Sequence, residues 1–180
     1  MKLVILDRDG TVNEDSPEFI KSVAEWKPIP GSIEAIARLS HAGFRVFIAS
    51  NQSGIGRGLL DFDALFAIHD RLQRAVSELG GHIDAIAFAP DHPDNATEMR
   101  KPSPGMLKDL AKRLQIDLDK VPYVGDSLAD VQAARAAGCQ PILVRSGNGR
   151  DTENAHRREL ANVAIYDDLA AAATALIAAA

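Results

Sequence analysis

A single cysteine, Cys139, occurs in the 180 residues. That scarcity excludes an intramolecular disulfide and any zinc site built from several thiolates. Cys139 sits in Ala-Gly-Cys-Gln-Pro just ahead of an apolar run, the setting of a small buried thiol. Basic residues are outnumbered, 20 Lys and Arg against 25 Asp and Glu, for a net charge of −5. No sustained basic stripe exists to neutralise a phosphate backbone, so nucleic acid is not an expected partner. The densest cationic cluster, His156-Arg157-Arg158, reads as a solvated helix face. No charged leader followed by an apolar stretch opens the sequence. No apolar run reaches the length of about 20 residues that a bilayer crossing needs, and the alanine-rich end, residues 170–180, is too short. A cytoplasmic location, no membrane partner and, with no exposed apolar seam evident, a monomer are the expectations. Repeats and linkers are also missing, so residues 1–180 are read as one domain.

What is present is a regular alternation. Apolar runs at residues 2–6, 45–49, 83–88, 121–124, 141–144 and 163–166 read as strands. Segments of helical period stand between them: one from Ser32 to Gly43, a long one over 62–76, one after Ser103-Pro104-Gly105, one over 128–137, and a last one after Asp167-Asp168. The runs are continuous, not alternating, which is the signature of strands buried on both faces. The predicted fold is α/β, a doubly wound three-layer sandwich around a central, mostly parallel sheet. Residues 12–30, with three prolines, read as an irregular excursion, 54–58 as a glycine loop, and 146–149 as a flexible turn.

In such a sheet the functional crevice lies beyond the carboxyl ends of the strands. Polar residues gather there four times: Asp7 and Asp9 after the first strand, Ser50-Asn51 after the second, Arg100-Lys101 after the third, and Asp126 with Asp130 after the fourth. Taken alone, Asp7 and Asp9 also fit a solvated acidic turn. Together the four clusters describe a seat for a phosphate dianion. Asp7, Asp9 and Asp126 offer hard oxygen ligands to magnesium. Ser50 and Asn51 offer donors, and Lys101 a compact positive charge, to phosphoryl oxygens. A carboxylate aimed at phosphorus can form an aspartyl-phosphate, while its neighbour carries the proton.

Asp7-Arg8-Asp9-Gly10-Thr11, Ser50-Asn51, Lys101 and Gly125-Asp126-Ser127-x-x-Asp130 resemble, in order and spacing, the four motifs of the haloacid-dehalogenase-like (HAD) phosphatases. The resemblance covers roughly residues 1 to 145 and implies a HAD-like Rossmannoid fold. It implies Asp7 as nucleophile and Asp9 as general acid/base, with its backbone carbonyl on Mg2+. It further implies Asp126 as metal ligand, Ser50, Asn51 and Lys101 on the phosphate, and Asp130 supporting Lys101 or the metal from behind. Intervals of about forty and about fifty residues between motifs are filled by the elements already named, leaving no separate cap domain.

Asp-Arg-Asp-Gly-Thr-Val-Asn, Ser-Asn-Gln-Ser-Gly-Ile-Gly-Arg-Gly and Arg-Lys-Pro-Ser-Pro-Gly-Met resemble the branch that acts on heptose bisphosphates and histidinol phosphate. That implies a magnesium-dependent phosphomonoesterase acting on a phosphorylated sugar, in the supply of nucleotide-activated heptose for lipopolysaccharide core. The leading expectation is removal of the 7-phosphate of a heptose 1,7-bisphosphate, and the alternative is histidinol phosphate. Arg100 is then expected beside the sugar, with Asp15, Glu18, Gln52 and Ser53 as further substrate contacts. The stretch Asp15-Ser16-Pro17-Glu18 departs from the branch's pattern. Arg57 either reaches a second phosphate or is a solvated loop cation. Where the branch often carries a Cys/His zinc loop, this chain reads Ala89-Pro90-Asp91-His92 and Thr97-Glu98-Met99, so no zinc is expected. A phospho-accepting signalling domain is the competitor from another class. It would place its acceptor after the third strand, where only Asp91 stands.

Overall fold

A computed structural model describes residues 2–180. Its strands are β1 (Lys2–Leu6), β2 (Phe44–Asn51), β3 (Ala85–Ala89), β4 (Pro122–Gly125), β5 (Gln140–Val144) and β6 (Ala164–Tyr166). They form one sheet in the order β3-β2-β1-β4-β5-β6, and every neighbouring pair is parallel. The helices are α1 (Ser32–His41), α2 (Ser53–Gly56), α3 (Phe62–Glu78), α4 (Gly105–Leu114), α5 (Leu128–Ala137), α6 (Gly149–Ala155) and α7 (Leu169–Ala178).

The pleat explains the continuous apolar runs. Val4 and Leu6 of β1 pack with α1, α3 and α7 on one face, whereas Leu3 and Ile5 pack with α4 and α5 on the other. Both sets must be apolar because neither face meets water. Helix starts and stops follow local chemistry. The Asp61 carboxylate accepts from the Ala64 N–H at the start of α3, and Gly138, at φ 87°, ends α5. Among the described residues, no helix is long and apolar enough to cross a membrane.

Three local expectations shift. β3 begins at Ala85, later than the apolar run, because the Asp84 carboxylate accepts the Val46 N–H (3.0 Å) and the Arg45 guanidinium (2.9 Å). The 54–58 loop contains the helical turn α2, and α6 follows a segment read as a flexible turn. The 12–30 excursion is pinned at its base: Glu14 N–H donates to Lys27 O (2.8 Å) and Ile29 N–H to Val12 O (3.0 Å). Buried Trp26 and Ile20 anchor it to the core.

Candidate active site

Sheet register places the site. Leu6 of β1 stands beside Ile48 of β2 and Val124 of β4, so the next residue, Asp7, leaves the sheet between two neighbours that end at the same edge. Its N–H still donates to Val124 O (2.8 Å), which holds the backbone as the chain turns. The Lys101 ammonium reaches across from the loop before α4. Its Nζ lies 2.7 Å from Asp7 Oδ1 and from Asp130 Oδ1 and 3.0 Å from Ala49 O and from Tyr123 Oη, four acceptors around three N–H bonds, and the side chain is only 4% exposed. The Asn51 amide fixes that loop, donating to Lys101 O and accepting from Lys101 N–H, both at 3.0 Å. Its side chain therefore positions Lys101, a part the sequence reading did not assign to it.

Asp130 divides its two oxygens. Oδ1 takes Lys101 and Tyr123, and Oδ2 accepts from the Ser127 N–H and hydroxyl, closing the box that caps α5. Asp126, at the end of β4, accepts the Asn148 N–H (2.7 Å) and side-chain amide (3.2 Å) through Oδ2. Two glycines permit this closeness. A Cβ on Gly10 (φ 82°) would lie 2.0 Å from Asp126 Oδ2, and one on Gly147 (φ 55°) would lie 2.3 Å from it.

One ammonium thus faces three buried carboxylates, whose oxygens lie within 4.8 Å of one another. The charge does not balance. Burial, then the Asp130 charge, holds Asp7 well above the usual carboxylate range against the opposing pull of Lys101. Burial and Asp130 push Asp126 up to about 7. Burial works to lower the Lys101 pKa, but Asp130 and Asp7 outweigh it and hold it well above normal. Lys101 is a permanent cation, and the surplus is negative. Asp7 and Asp126 both face the cavity, whereas the oxygens of Asp130 are committed behind it. A hard divalent cation fits this donor set, with Asp7 and Asp126 as its carboxylates.

Asp9 is held by three side chains. Its oxygens accept from Arg8, Asn13 and Gln52, and the Gln52 amide also donates to Ser50 Oγ (2.8 Å). A cavity of about 340 Å3 opens over these groups. Of the predicted site residues, Asp7, Asp9, Asp15, Ser50, Asn51, Gln52, Ser53, Arg100, Lys101 and Asp126 line it. Glu18 and Arg57 do not: Glu18 is exposed beside a separate surface hollow, and the exposed Arg57 guanidinium lies over the Phe19 ring at 5.6 Å. Arg100 is half-buried and donates to Asp91 O (3.3 Å). The 89–101 loop is tied by Asp91 Oδ2, which accepts from the Thr97 N–H (2.7 Å) and hydroxyl (2.5 Å). Those bonds hold Asp91 below the usual carboxylate range.

Three members of this network carried no prediction. Tyr123 sits inside an apolar run and was read only as strand. Asn148 lies in the segment taken for a flexible turn, yet it bridges Asp126 to Asp15 (2.9 Å) across the cavity mouth, while neighbouring Ser146 Oγ donates to Gly10 O (2.7 Å). Arg8, between the two aspartates, is wholly buried. A polar residue inside a strand and a Gly-Asn-Gly beside a strand end were the available signals.

The HAD-hydrolase-like family model matches residues 98–172. A Bordetella bronchiseptica protein named D-glycero-beta-D-manno-heptose-1,7-bisphosphate 7-phosphatase is 56% identical over 152 residues, 84% of this chain and 85% of that one. The Pseudomonas aeruginosa protein of the same name is 50% identical over 175 residues, 97% of each chain. Among solved structures, a B. bronchiseptica D,D-heptose 1,7-bisphosphate phosphatase complexed with magnesium and phosphate superposes with a TM-score of 0.97, at 51% identity and 100% coverage of both chains.

Proposed function

We propose that this chain, which belongs to the D-glycero-β-D-manno-heptose-1,7-bisphosphate 7-phosphatase family of HAD-like hydrolases, removes the 7-phosphate of that sugar bisphosphate and leaves the 1-phosphate. The convergence of Asp7, Lys101 and Asp126 on one cavity, with Arg100 on its wall, carries this reading. Asp7 attacks phosphorus; the bond from phosphorus to the C7 oxygen breaks, and Asp9 gives that oxygen its proton. Water then attacks the aspartyl-phosphate, Asp9 takes the water's proton, and phosphate leaves with Asp7 restored. Lys101 neutralises phosphoryl charge, Ser50 donates a hydrogen bond to it, and Asn51 keeps Lys101 in place. Asp7, Asp126 and the Asp9 backbone carbonyl would hold Mg2+, which supplies charge neutralisation at the phosphoryl oxygens. Arg100 faces the sugar and its distant phosphate, with Asp15, Gln52 and Ser53 as neighbours. Glu18 and Arg57 do not border the cavity, so this reading assigns them no part in binding.

The absence of a second sheet among the described residues supports a single capless domain, with substrate selection left to the 12–30, 52–58 and 89–101 loops. In this reading the enzyme works in the cytoplasm, in the supply of nucleotide-activated heptose. The test is phosphate release with magnesium from the heptose β-1,7-bisphosphate and from histidinol phosphate, side by side. At least about tenfold higher kcat/KM for the sugar is expected, a gap of ~1.4 kcal/mol in transition-state binding. A clear win for histidinol phosphate overturns the substrate. A stable phosphorylated protein that does not turn over overturns the enzyme.

Metal binding should depend on pH in a defined direction. In the metal-free protein Asp126 titrates at about 7, above its unfolded value, so its contribution to stability is present in acid and is lost as pH rises through 7. Magnesium needs the ionised form. The rise in melting temperature on adding magnesium should therefore be larger at pH 8 than at pH 6, where the Asp126 proton alone lowers apparent affinity about tenfold. An equal shift at both values would remove Asp126 from the metal site.

A further inference from the structure

We propose that Arg8 is a positioning residue whose planar fork fixes the plane of the Asp9 carboxyl group, so that the oxygen on the cavity side, Oδ2, is the working oxygen. The proposal rests on Asp9 being the proton carrier described above. Arg8 is wholly buried and does not border the cavity. Its Nε donates to Asp9 Oδ1 (2.8 Å) and its Nη2 to Oδ2 (3.1 Å), with Nη2 also 2.8 Å from Oδ1. Asn13, also wholly buried, adds a second hold on Oδ1 at 2.9 Å. Oδ1 is therefore fastened from inside the protein by two side chains that substrate does not meet.

Oδ2, besides its bond from Arg8, is held from the cavity side. Its close partner is the Gln52 amide at 2.8 Å, which borders the cavity and has a second acceptor in Ser50 Oγ. A Gln52 amide that kept only its bond to Ser50 would free a lone pair of Oδ2 toward the cavity for a proton. That oxygen then delivers its proton to the ester oxygen as the P–O bond breaks, and recovers one from water as the bond to Asp7 breaks. Both transfers use one atom in one place. A carboxyl group free to rotate would present either oxygen at many angles, and misplacement costs rate.

The surroundings argue against a role in stability alone. A buried guanidinium is costly to desolvate, and an apolar side chain of similar volume often serves the fold as well or better. Arg8 Nη1 has no hydrogen-bond partner, nor has buried His69 Nε2. Burial, and after it the Arg8 charge, lowers the His69 pKa to about 4, so that imidazole is neutral and adds no second positive charge beside Arg8. Among the described residues, the ion pair of Arg8 is with Asp9. A lysine would keep the charge but lose the planar two-point grip.

The experiment compares Arg8→Lys and Arg8→Met with wild type on two esters. The heptose bisphosphate expels an alkoxide that needs a proton, whereas p-nitrophenyl phosphate expels a stable phenolate. The ratio kcat/KM covers only the steps through aspartyl-phosphate formation, so the shared hydrolysis step does not enter. For Arg8→Lys, a loss of about tenfold or more on the sugar ester is expected. On the aryl ester the loss should stay within about threefold, with a larger split for Arg8→Met. Equal losses on both esters, or none on either, overturn the proposal. If Arg8→Met does not fold, Arg8→Lys decides alone. Wild-type inactivity on the heptose ester with activity on another alkyl phosphate overturns only the substrate reading, and the Arg8 comparison proceeds on that ester. Wild-type inactivity on every ester overturns both.

Discussion

The Asp7→Asn protein should fold as stably as its parent in the absence of metal, or more so, and release no phosphate. The two halves of that result share one cause. Burial and the Asp130 charge make an ionised Asp7 unfavourable without a metal ion, even with Lys101 beside it, so a neutral amide relieves the metal-free fold. Asparagine keeps the oxygen that accepts from Lys101 at 2.7 Å, which preserves the local geometry. It loses the charge and the nucleophilicity that an attack on phosphorus needs. A fall in kcat on the order of 10⁴-fold or more is expected, the scale for losing a covalent nucleophile. Denaturant titration in EDTA and a phosphate-release assay with magnesium measure the two halves. Turnover near the parental rate would end the covalent mechanism.

Lys101→Ala should fail in both respects. The ammonium joins Asp7 to Asp130 and also meets Ala49 O and Tyr123 Oη, all in the interior. Deleting it strands two buried carboxylates, a loss of about 3–5 kcal/mol for a broken buried pair. The rate should drop by about 10²- to 10³-fold, the range for removing one electrostatic stabiliser. The double variant Lys101→Ala/Asp130→Asn separates the effects. Neutralising Asp130 removes one stranded charge, so part of the stability should return while the rate does not. Equal recovery of both would mean that Lys101 acts only as a structural tie. An unchanged rate in the single variant would take it out of the site.

The division between what was legible and what was not follows residue by residue. Strands β1, β2, β4 and β5 were readable because a strand buried on both faces must be apolar without interruption. Helices α1, α3, α4, α5 and α7 were readable from apolar residues at helical spacing, whereas α2 and α6, short and without such a stripe, were not. Asp7, Ser50, Lys101 and Asp126 fall on one edge from their sequence positions alone, since a parallel sheet brings all its carboxyl ends together. Asp84 shortening β3 was not visible, because its effect lies in a bond to Val46 on another strand.

Local pattern, read along the chain, determined the α/β class, the parallel sheet and the edge on which the charged residues gather. Hydrophobic periodicity and turn chemistry are properties of neighbours in sequence, and they act before the chain closes. Tertiary structure alone decided the partners. It paired Asp15 with Asn148, 133 positions away, and Lys101 with Asp7, 94 away, and it turned Arg8 inward onto Asp9. It also left Glu18 and Arg57 outside the cavity. Such pairings depend on side-chain direction and on which loops meet. Those are settled by packing in three dimensions, where a displacement of one ångström makes or breaks a hydrogen bond.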